Sequence, residues 1–288
     1  MKLVVTEKND AAQKIADLLG VKKPKADKVY STPVYRFDVD GEEWVTIGLR
    51  GHILEPDFTP TMVYKKRGGW QGVTEEGETF PAKLPATLPK PPFKKKKPFT
   101  EDGVELKTWK MDALPYLVYA PIKKLPKEKE IIRSLKNLAK KADSVIIATD
   151  FDREGELIGS DALSCIQEVN PDAPVSRARY SAFTKEEITH AFDNLVELDV
   201  NLASAGASRQ DIDLIWGAVL TRYLTLVKFT GYGNVRSSGR VQTPTLALIV
   251  AKERERLAFV PEDYWVIRGA LGTDPDAFEA PHATARFK

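Results

Sequence analysis

The chain has 288 residues, of which 42% are hydrophobic and 29% are charged. This balance is typical of a folded globular protein and argues against a disordered chain. Lysine and arginine number 43 against 41 for aspartate and glutamate, so a polyanion-binding surface would have to come from local segregation of charge. The single cysteine, Cys165, excludes a disulfide framework within these residues and fits a reducing compartment. We therefore expect a cytoplasmic protein. No stretch reaches the roughly 18 apolar residues of a membrane span.

The chain begins with the pattern of an α/β domain. Residues 3–6 are a short apolar run that favours a strand, and Asn9 or Asp10 can then cap a helix that Gly20 ends. In such folds the last side chain of a buried strand lies at the edge where sites form. We therefore expect Glu7 at that edge.

The next segment predicts a strand pair followed by an irregular insertion. Residues 29–51 alternate in polarity around a turn at Asp40 and Gly41, as in a hairpin. Residues 60–98 then carry glycines, a glutamate-rich patch, many prolines and a run of four lysines. Prolines lack ladder donors and like charges repel, so we predict an extended or mobile insertion there.

The middle of the chain leads into a second buried strand. Residues 127–142 have helical spacing, with apolar residues on one side and lysines on the other. Residues 144–149 are apolar and rich in β-branched side chains, which suits the central strand of a parallel sheet. Asp150 follows this strand directly.

The last third of the chain is mainly helical. Thr184 and Glu187 have the spacing of a capping box, residues 201–229 form one long helical pattern, and Thr243-Pro244 begins another helix. A second domain is expected from near this region. Residues 265–270 alternate as a new strand.

Asp150, Asp152 and Glu154 alternate immediately after the second buried strand, so an extended turn could direct three carboxylates to one side. Mg²⁺ prefers such hard oxygen ligands and commonly bridges to phosphate. A charged loop that caps a helix is the alternative. The strand before the cluster, the helix after it, and the second carboxylate at Glu7 followed by Lys8 favour a metal site for phosphoryl transfer.

Two sequence motifs identify a family. The segment ATDFDREGE, together with Glu7-Lys8, resembles the TOPRIM signature of topoisomerases, primases and some nucleases. The segments NLASAGASRQDIDLIWGAVLTRYL and SSGRVQTPTLALIVAKERE resemble the helical domain of type IA DNA topoisomerases, in the style of topoisomerase III and archaeal topoisomerase I. The likeness covers nearly the whole chain.

The resemblance implies an α/β TOPRIM domain with a Rossmann-like parallel sheet at 1–175, a mainly helical DNA-binding domain at 176–260, and the start of a β domain at 261–288. It also implies a transesterification in which a tyrosine attacks one DNA strand and forms a 5′-phosphotyrosine, with single-stranded or underwound DNA as the partner. The site residues implied are Glu7, Asp150, Asp152 and Glu154 for Mg²⁺, Glu7, Lys8 and Arg153 for catalysis, and His52, Arg209, Asp213, Ser238, Arg240 and Gln242 for DNA.

The sequence departs from the family pattern in places. Gln210 and Leu214 stand where bacterial members often carry arginine, and no tyrosine after Val260 has the aromatic-proline-arginine-threonine context of the nucleophile. Tyr264 lies among residues that resemble the entry strand of the next domain. We therefore expect an N-terminal fragment that supplies the metal site and the DNA cradle. A TOPRIM nuclease or primase, or a non-catalytic DNA-binding module, remains as an alternative.

Overall fold

A computed structural model describes residues 1–228, 233–274, 278–284 and 286. The chain divides into two compact units, Met1–Gly239 and Arg240–Lys288. The helices and strands are, in chain order, β1 (Lys2–Thr6), α1 (Asn9–Leu19), β2 (Lys25–Val29), β3 (Thr32–Val39), β4 (Glu42–Gly48), β5 (Leu54–Phe58), β6 (Thr61–Lys65), β7 (Gly69–Val73), β8 (Thr79–Ala82), β9 (Gly103–Glu105), a 3₁₀ turn (Met111–Ala113), α2 (Leu114–Leu117), β10 (Ile122–Pro126), α3 (Lys129–Ala139), β11 (Ser144–Ile147), α4 (Arg153–Gln167), β12 (Val175–Arg177), α5 (Lys185–Asp193), α6 (Val200–Val227), α7 (Gln242–Ala258), β13 (Arg268–Leu271) and β14 (Phe278–Pro281).

The first unit is built on a six-stranded sheet in the order β12-β11-β1-β4-β3-β2. β12, β11, β1 and β4 run parallel to one another, and β3 and β2 continue the sheet antiparallel from β4. Leu3, Val4 and Val5 of β1 are fully buried, because helices cover both faces of a parallel sheet. The predicted α/β fold with a Rossmann-like parallel sheet is confirmed.

Helices pack on both faces of this sheet and form a three-layer arrangement. On one face, Leu135 of α3 and Ile158 of α4 join the core that includes Leu3 and Val5. On the other face, Ile15 of α1 and residues of α5 pack around Val4, Phe37 and Trp44, and the α5 residues are Ile188, Ala191 and Phe192. Side chains on the two faces of β1 therefore belong to two separate cores, because successive side chains of a strand point to opposite faces.

The prediction of an extended or mobile insertion at 60–98 is wrong for residues 61–82, which contain three strands, whereas residues 83–98 contain no helix or strand. β6, β7, β8 and β9 form a four-stranded antiparallel sheet in the order β8-β7-β6-β9, which we call the insert sheet. Trp70 lies at its core, with ring centroids 5.4 Å from both Tyr64 and Tyr116 and 6.4 Å from Phe93. These aromatic rings bury enough apolar surface to order a segment whose prolines and lysines suggested disorder. α6 packs against this core through Leu214, Ile215, Ala218 and Val219.

Several predicted boundaries are confirmed and one cap is not. The hairpin turn occurs at Asp40 and Gly41, where φ is 54° and 83°, and Thr184 caps α5 by accepting from the Glu187 N–H at 3.3 Å. Neither Asn9 nor Asp10 caps α1. The cap residue is Lys8, which makes no side-chain cap hydrogen bond, because an ammonium group only donates and cannot accept from the free backbone N–H groups.

The predicted long helix is α6, which runs over 28 residues; Phe229, which the prediction included, lies outside the described residues. In the second unit, α7 begins at Gln242 with Pro244 in its first turn, as predicted. The predicted last strand begins later, at Arg268, and pairs antiparallel with β14. No helix in the described part of the chain is long and apolar enough to cross a membrane.

Candidate functional site

The carboxyl ends of three neighbouring parallel strands bring the candidate site together. β1 lies between β11 and β4 in the sheet. Glu7 follows β1, Asp150 lies three residues after the end of β11, and His52 lies four residues after the end of β4. Parallel strands end at the same edge of a sheet, so residues distant in sequence become neighbours. Glu7 lies at this edge, as the sequence predicts.

Lys8 links the two strand-end carboxylates. Its Nζ lies 2.9 Å from Oε1 of Glu7 and 3.6 Å from Oδ2 of Asp150. The hydrogen bond to Glu7, then the charges of Glu7 and Asp150, raise the pKa of Lys8 above its ordinary value. Lys8 therefore stays charged at neutral pH, and its exposed side chain holds one positive charge against two carboxylates.

The loop after β11 is a tight turn whose geometry depends on a glycine. Oδ1 of Asp152 accepts from the Gly155 N–H at 2.7 Å and so caps α4. The Oγ1 hydroxyl of Thr149 donates to the Gly155 carbonyl at 2.7 Å. A Cβ at Gly155 would lie 2.0 Å from the Asp150 carbonyl oxygen, so the backbone can approach this closely only without a side chain.

Glu154 connects the acidic loop, residues 150–154, to α6. Its Oε1 accepts from Nη1 of Arg209 at 2.7 Å, and its Oε2 lies 3.2 Å from Nε2 of His52. Gln210 Nε2 lies 3.2 Å from Nδ1 of the same imidazole, and Arg209 Nε lies 3.9 Å from Asp213. The link joins the acidic loop, the β4 edge and the long helix. From the sequence, Gln210 was noted only as a departure from the bacterial pattern, and its contact with His52 was not predicted.

A buried ion pair that sequence analysis missed supports the acidic loop from beneath. Arg177, at the end of β12, is fully buried and donates from Nε to Oε1 of the fully buried Glu156 at 3.1 Å. Its Nη2 donates to the Asp150 carbonyl at 2.9 Å, and its Nη1 donates to the carbonyls of Ile147 and Ala178. Arg177 lies in no recognisable motif, so its role depends on the sheet order that puts β12 beside β11.

A second ion pair lies behind the site. Lys124 of β10 contacts Asp161 of α4, whose side chain is nearly inaccessible to solvent. Burial raises the pKa of Asp161, and the contact with Lys124 opposes that shift. β10 thereby attaches to the helix that follows the acidic loop.

The four predicted metal ligands do not converge in this structure. Glu7 and Asp150 face Lys8, Asp152 caps α4, and Glu154 faces α6. Within the described residues, no three histidine, cysteine, aspartate or glutamate side chains are arranged to hold a metal ion.

The remaining predicted site residues lie in both units. In the first unit, Arg153 is exposed in the first turn of α4, and Ser238 is buried, with its N–H donating to Oγ1 of Thr221 at 3.0 Å. In the second unit, Arg240 and Gln242 are exposed at the start of α7. Tyr264 is half-exposed there, and the Arg286 guanidinium lies 4.4 Å from its ring centroid.

Family models match two adjoining regions of the chain. A Toprim domain model covers residues 2–183, and a DNA topoisomerase model covers residues 197–288. The chain belongs to the Toprim-bearing, type IA family of DNA topoisomerases. The family resemblance drawn from the two sequence motifs is thereby confirmed, and the nuclease or primase alternative loses its support because the second model covers the helical region.

Curated relatives of this topoisomerase-family chain are archaeal and bacterial proteins named DNA topoisomerase 1. The protein of Archaeoglobus fulgidus is 39% identical over 92% of this chain and 33% of its own length. That of Thermoplasma acidophilum is 35% identical over 92% of this chain and 29% of its own length. That of Methanocaldococcus jannaschii is 32% identical over 99% of this chain and 31% of its own length. The chain spans about a third of the length of these relatives.

A solved structure supports the fold assignment. Full-length topoisomerase I from Thermotoga maritima aligns with 99% of this chain and 36% of its own chain, with a TM-score of 0.55 and 22% identity. At this identity the likeness concerns the fold.

Proposed function

We propose that this chain is the N-terminal part of an enzyme that breaks and rejoins one DNA strand through a 5′-phosphotyrosine and so changes DNA topology. The observation that carries the proposal is the strand-edge site. A lysine and two carboxylates lie at the ends of β1 and β11, and Glu154 joins the same loop to Arg209 on α6. One site thus offers a cation for a phosphate, carboxylates for a metal ion or a proton, and the guanidinium of Arg209 for the strand.

The roles follow from the chemistry of strand transfer. Lys8 neutralises charge that develops on the scissile phosphate. Glu7, with 14% of its side chain exposed, holds either the metal ion or the proton that the departing 3′-oxygen requires. Arg153 contacts the DNA backbone or orients the acidic loop. The attacking hydroxyl comes from a tyrosine that we do not assign among these 288 residues.

Carboxylate oxygens are the donor type that Mg²⁺ prefers, and the side chains of Glu7, Asp150 and Asp152 would hold the ion only after they leave their present partners and turn toward one another. Glu7 and Asp150 already share one positive charge, and only one oxygen of Asp152 is used in capping α4. We propose that these three residues hold the ion, with Glu154 as a further ligand when it leaves Arg209 and His52. When bound, Mg²⁺ would neutralise phosphate charge and position the phosphodiester.

DNA would lie along α6 and the segments near it. Arg209 supplies a guanidinium for phosphate, and His52 and Gln210 form one hydrogen-bonded group beside it. Asp213 orients Arg209. We separately propose Ser238 in the first unit, and Arg240 and Gln242 in the second, as DNA contacts. We propose single-stranded or underwound DNA as the substrate and the cytoplasm as the location.

Asp150→Asn is expected to lower Mg²⁺ affinity by about tenfold or more, because loss of a partner one shell further out already costs about 10–100-fold. Asp150 shares a cation with Glu7, so its charge contributes directly to holding a positive ion. Isothermal titration calorimetry of the 288-residue chain with MgCl₂ measures the effect.

The matched control is Asp172→Asn, which removes an exposed carboxylate from the loop before β12. Its Mg²⁺ affinity should equal that of the unaltered chain. Equal affinity in the Asp150 variant as well would exclude this residue as a ligand. Glu154→Gln, compared in the same titration, tests whether Glu154 exchanges its α6 partners for the metal ion.

Arg209→Ala is expected to weaken binding of a single-stranded oligonucleotide by roughly tenfold, since a hydrogen bond to a charged group is worth about 1.5–3 kcal/mol. Fluorescence anisotropy of a labelled 20-nucleotide strand measures the change. Arg133→Ala is the control, because Arg133 lies on α3 with its guanidinium 4.0 Å from the Tyr30 ring centroid. If Arg209→Ala leaves affinity intact, Arg209 serves only to hold Glu154.

A further inference from the structure

The insert sheet separates its charges between its two ends. The β6–β7 hairpin carries Lys65, Lys66 and Arg67, whereas the β7–β8 hairpin carries Glu75, Glu76 and Glu78. Adjacent hairpins of an antiparallel sheet lie at opposite ends of it. The net charge of the whole chain, +2, conceals this local segregation.

Other basic residues gather at the hairpin end that carries Lys65. Lys83 directly follows Ala82, which pairs with Trp70 beside that hairpin. The Nζ of Lys90 lies 5.7 Å from the ring centroid of Tyr64. Lys94 and Lys95 directly follow Phe93, whose ring stacks on Trp70 and whose N–H donates to the Glu101 carbonyl. We call this surface the basic end, and it consists of Lys65, Lys66, Arg67, Lys83, Lys90, Lys94 and Lys95.

All seven residues of the basic end are exposed. Among the salt bridges of the described residues, only Lys95 of the seven takes part, with Glu101 at 3.0 Å. At the other end, by contrast, Lys123 pairs with Glu78 at 2.8 Å, and Lys107 contacts Glu75. Lys107 and Lys123 therefore neutralise much of the charge of the β7–β8 hairpin. The basic end has less of its charge neutralised, because Lys95 alone has a salt bridge among the described residues.

We propose that the basic end binds the phosphate backbone of double-stranded DNA. This inference rests on the proposed function, because it assigns a second contact for the same nucleic acid. The insert sheet packs against α6, the helix that carries Arg209, so duplex flanking a single-stranded region would have a place to dock. Lysines that neutralise phosphates release condensed counterions, and this gives affinity without base recognition.

The chemistry of the surface favours duplex over a single strand. Proteins that bind single strands combine a basic groove with aromatic rings on which bases stack. Here the nearby rings are engaged with one another, since Trp70 is 5% exposed and contacts Tyr64, Phe93 and Tyr116. A set of point charges without open aromatic faces suits the dense, regular phosphates of a duplex.

The test compares the 288-residue chain with a variant in which five lysines become glutamine. The substitutions are Lys65→Gln, Lys66→Gln, Lys83→Gln, Lys90→Gln and Lys94→Gln. Each phosphate contact contributes about 0.9 to the slope of log K against log salt concentration. We expect a slope shallower by about four and an affinity at least about tenfold weaker for a blunt 30-base-pair duplex in 50 mM salt. Fluorescence anisotropy over a salt series gives both values.

A control variant removes five exposed lysines from elsewhere in the first unit: Lys22→Gln, Lys23→Gln, Lys25→Gln, Lys140→Gln and Lys141→Gln. It has the same net charge, and we expect it to bind duplex like the unaltered chain. Equal losses in both variants would mean that total charge, and not the basic end, determines binding. An unchanged slope in the basic-end variant would also overturn the proposal. Circular dichroism melting of both variants verifies the fold.

The failure of this inference is distinguishable from that of the proposed function. Arg209→Ala tests the single-strand site with an oligonucleotide, whereas the basic-end variant is tested with a duplex that has no single-stranded part. If Arg209→Ala leaves single-strand binding unchanged while duplex binding still requires the basic end, only the assignment of Arg209 to single-strand binding fails. Loss of binding to phosphatidylglycerol vesicles, with duplex binding intact, would assign the surface to anionic lipid and overturn the inference.

Discussion

Arg177→Met is expected to lower the free energy of unfolding by about 3–5 kcal/mol, the usual cost of removing one partner from a buried ion pair. Arg177 and Glu156 are both fully buried, so the substitution would leave the Glu156 side chain buried without its hydrogen-bonding partner. The guanidinium also donates to the carbonyls of Ile147, Asp150 and Ala178, and those acceptors would lose their donor. The acidic loop would therefore lose the group that holds the Asp150 carbonyl in place.

Urea unfolding followed by circular dichroism measures this change. Lys136→Met is the matched control, because Lys136 pairs with Glu168 at 2.6 Å on the surface, where such pairs contribute about 0–1 kcal/mol. The double variant Arg177→Met with Glu156→Gln should recover part of the loss, since it leaves no buried charge. A loss below 1 kcal/mol for Arg177→Met alone would contradict the structure.

Gly155→Ala is expected to destabilise the protein by about 3 kcal/mol, at the upper end of typical overpacking costs. The new Cβ would lie 2.0 Å from the Asp150 carbonyl oxygen and 2.8 Å from its carbon. Both atoms belong to the backbone, so no side-chain rotation relieves the clash. In an ordinary helix, replacing glycine with alanine stabilises by about 0.5–1 kcal/mol. Here the steric cost exceeds that gain, so the substitution lowers the free energy of unfolding instead of raising it.

Gly217→Ala provides the control for this reversal. Gly217 also lies within a helix, α6, and a Cβ there would meet the Ser238 carbonyl oxygen at 3.7 Å, an ordinary van der Waals distance. We expect it to be neutral or to stabilise by about 0.5–1 kcal/mol. Urea unfolding of both variants measures the change in the free energy of unfolding that each substitution causes. Stabilisation by both would show that the loop does not approach α4 as closely as described. Gly155→Ala should also lower Mg²⁺ affinity, if Asp150 binds the ion.

The sequence was sufficient where local pattern and burial agree. A β-branched run followed by a capped helix predicted β1 and β11, and the alternation around Asp40-Gly41 predicted the β3–β4 hairpin. These elements form because side-chain period and turn chemistry act over a few residues. Glu7 and Asp150 could be placed at one edge for the same reason, since both follow buried strands.

The insert shows where local pattern misleads. Its prolines, glycines and lysines indicated an extended segment, yet Trp70, Phe93 and Tyr116 come together from distant positions and build a core. Sequence periodicity does not predict contacts between residues that are tens of positions apart. The clustering of the basic residues at one end, on which the duplex proposal depends, was equally invisible before the strands were paired.

The sequence by itself determined the family, the parallel-sheet fold and the carboxylates and lysine at the strand ends, because motifs and strand patterns are local. Only the tertiary structure decided how those groups are used. It turned Glu154 toward Arg209 and His52, assigned Asp152 to cap α4, and set Arg177 beneath the acidic loop. These choices depend on the order β12-β11-β1-β4. Strand order arises from burial summed over the whole domain, so no single segment of the sequence encodes it.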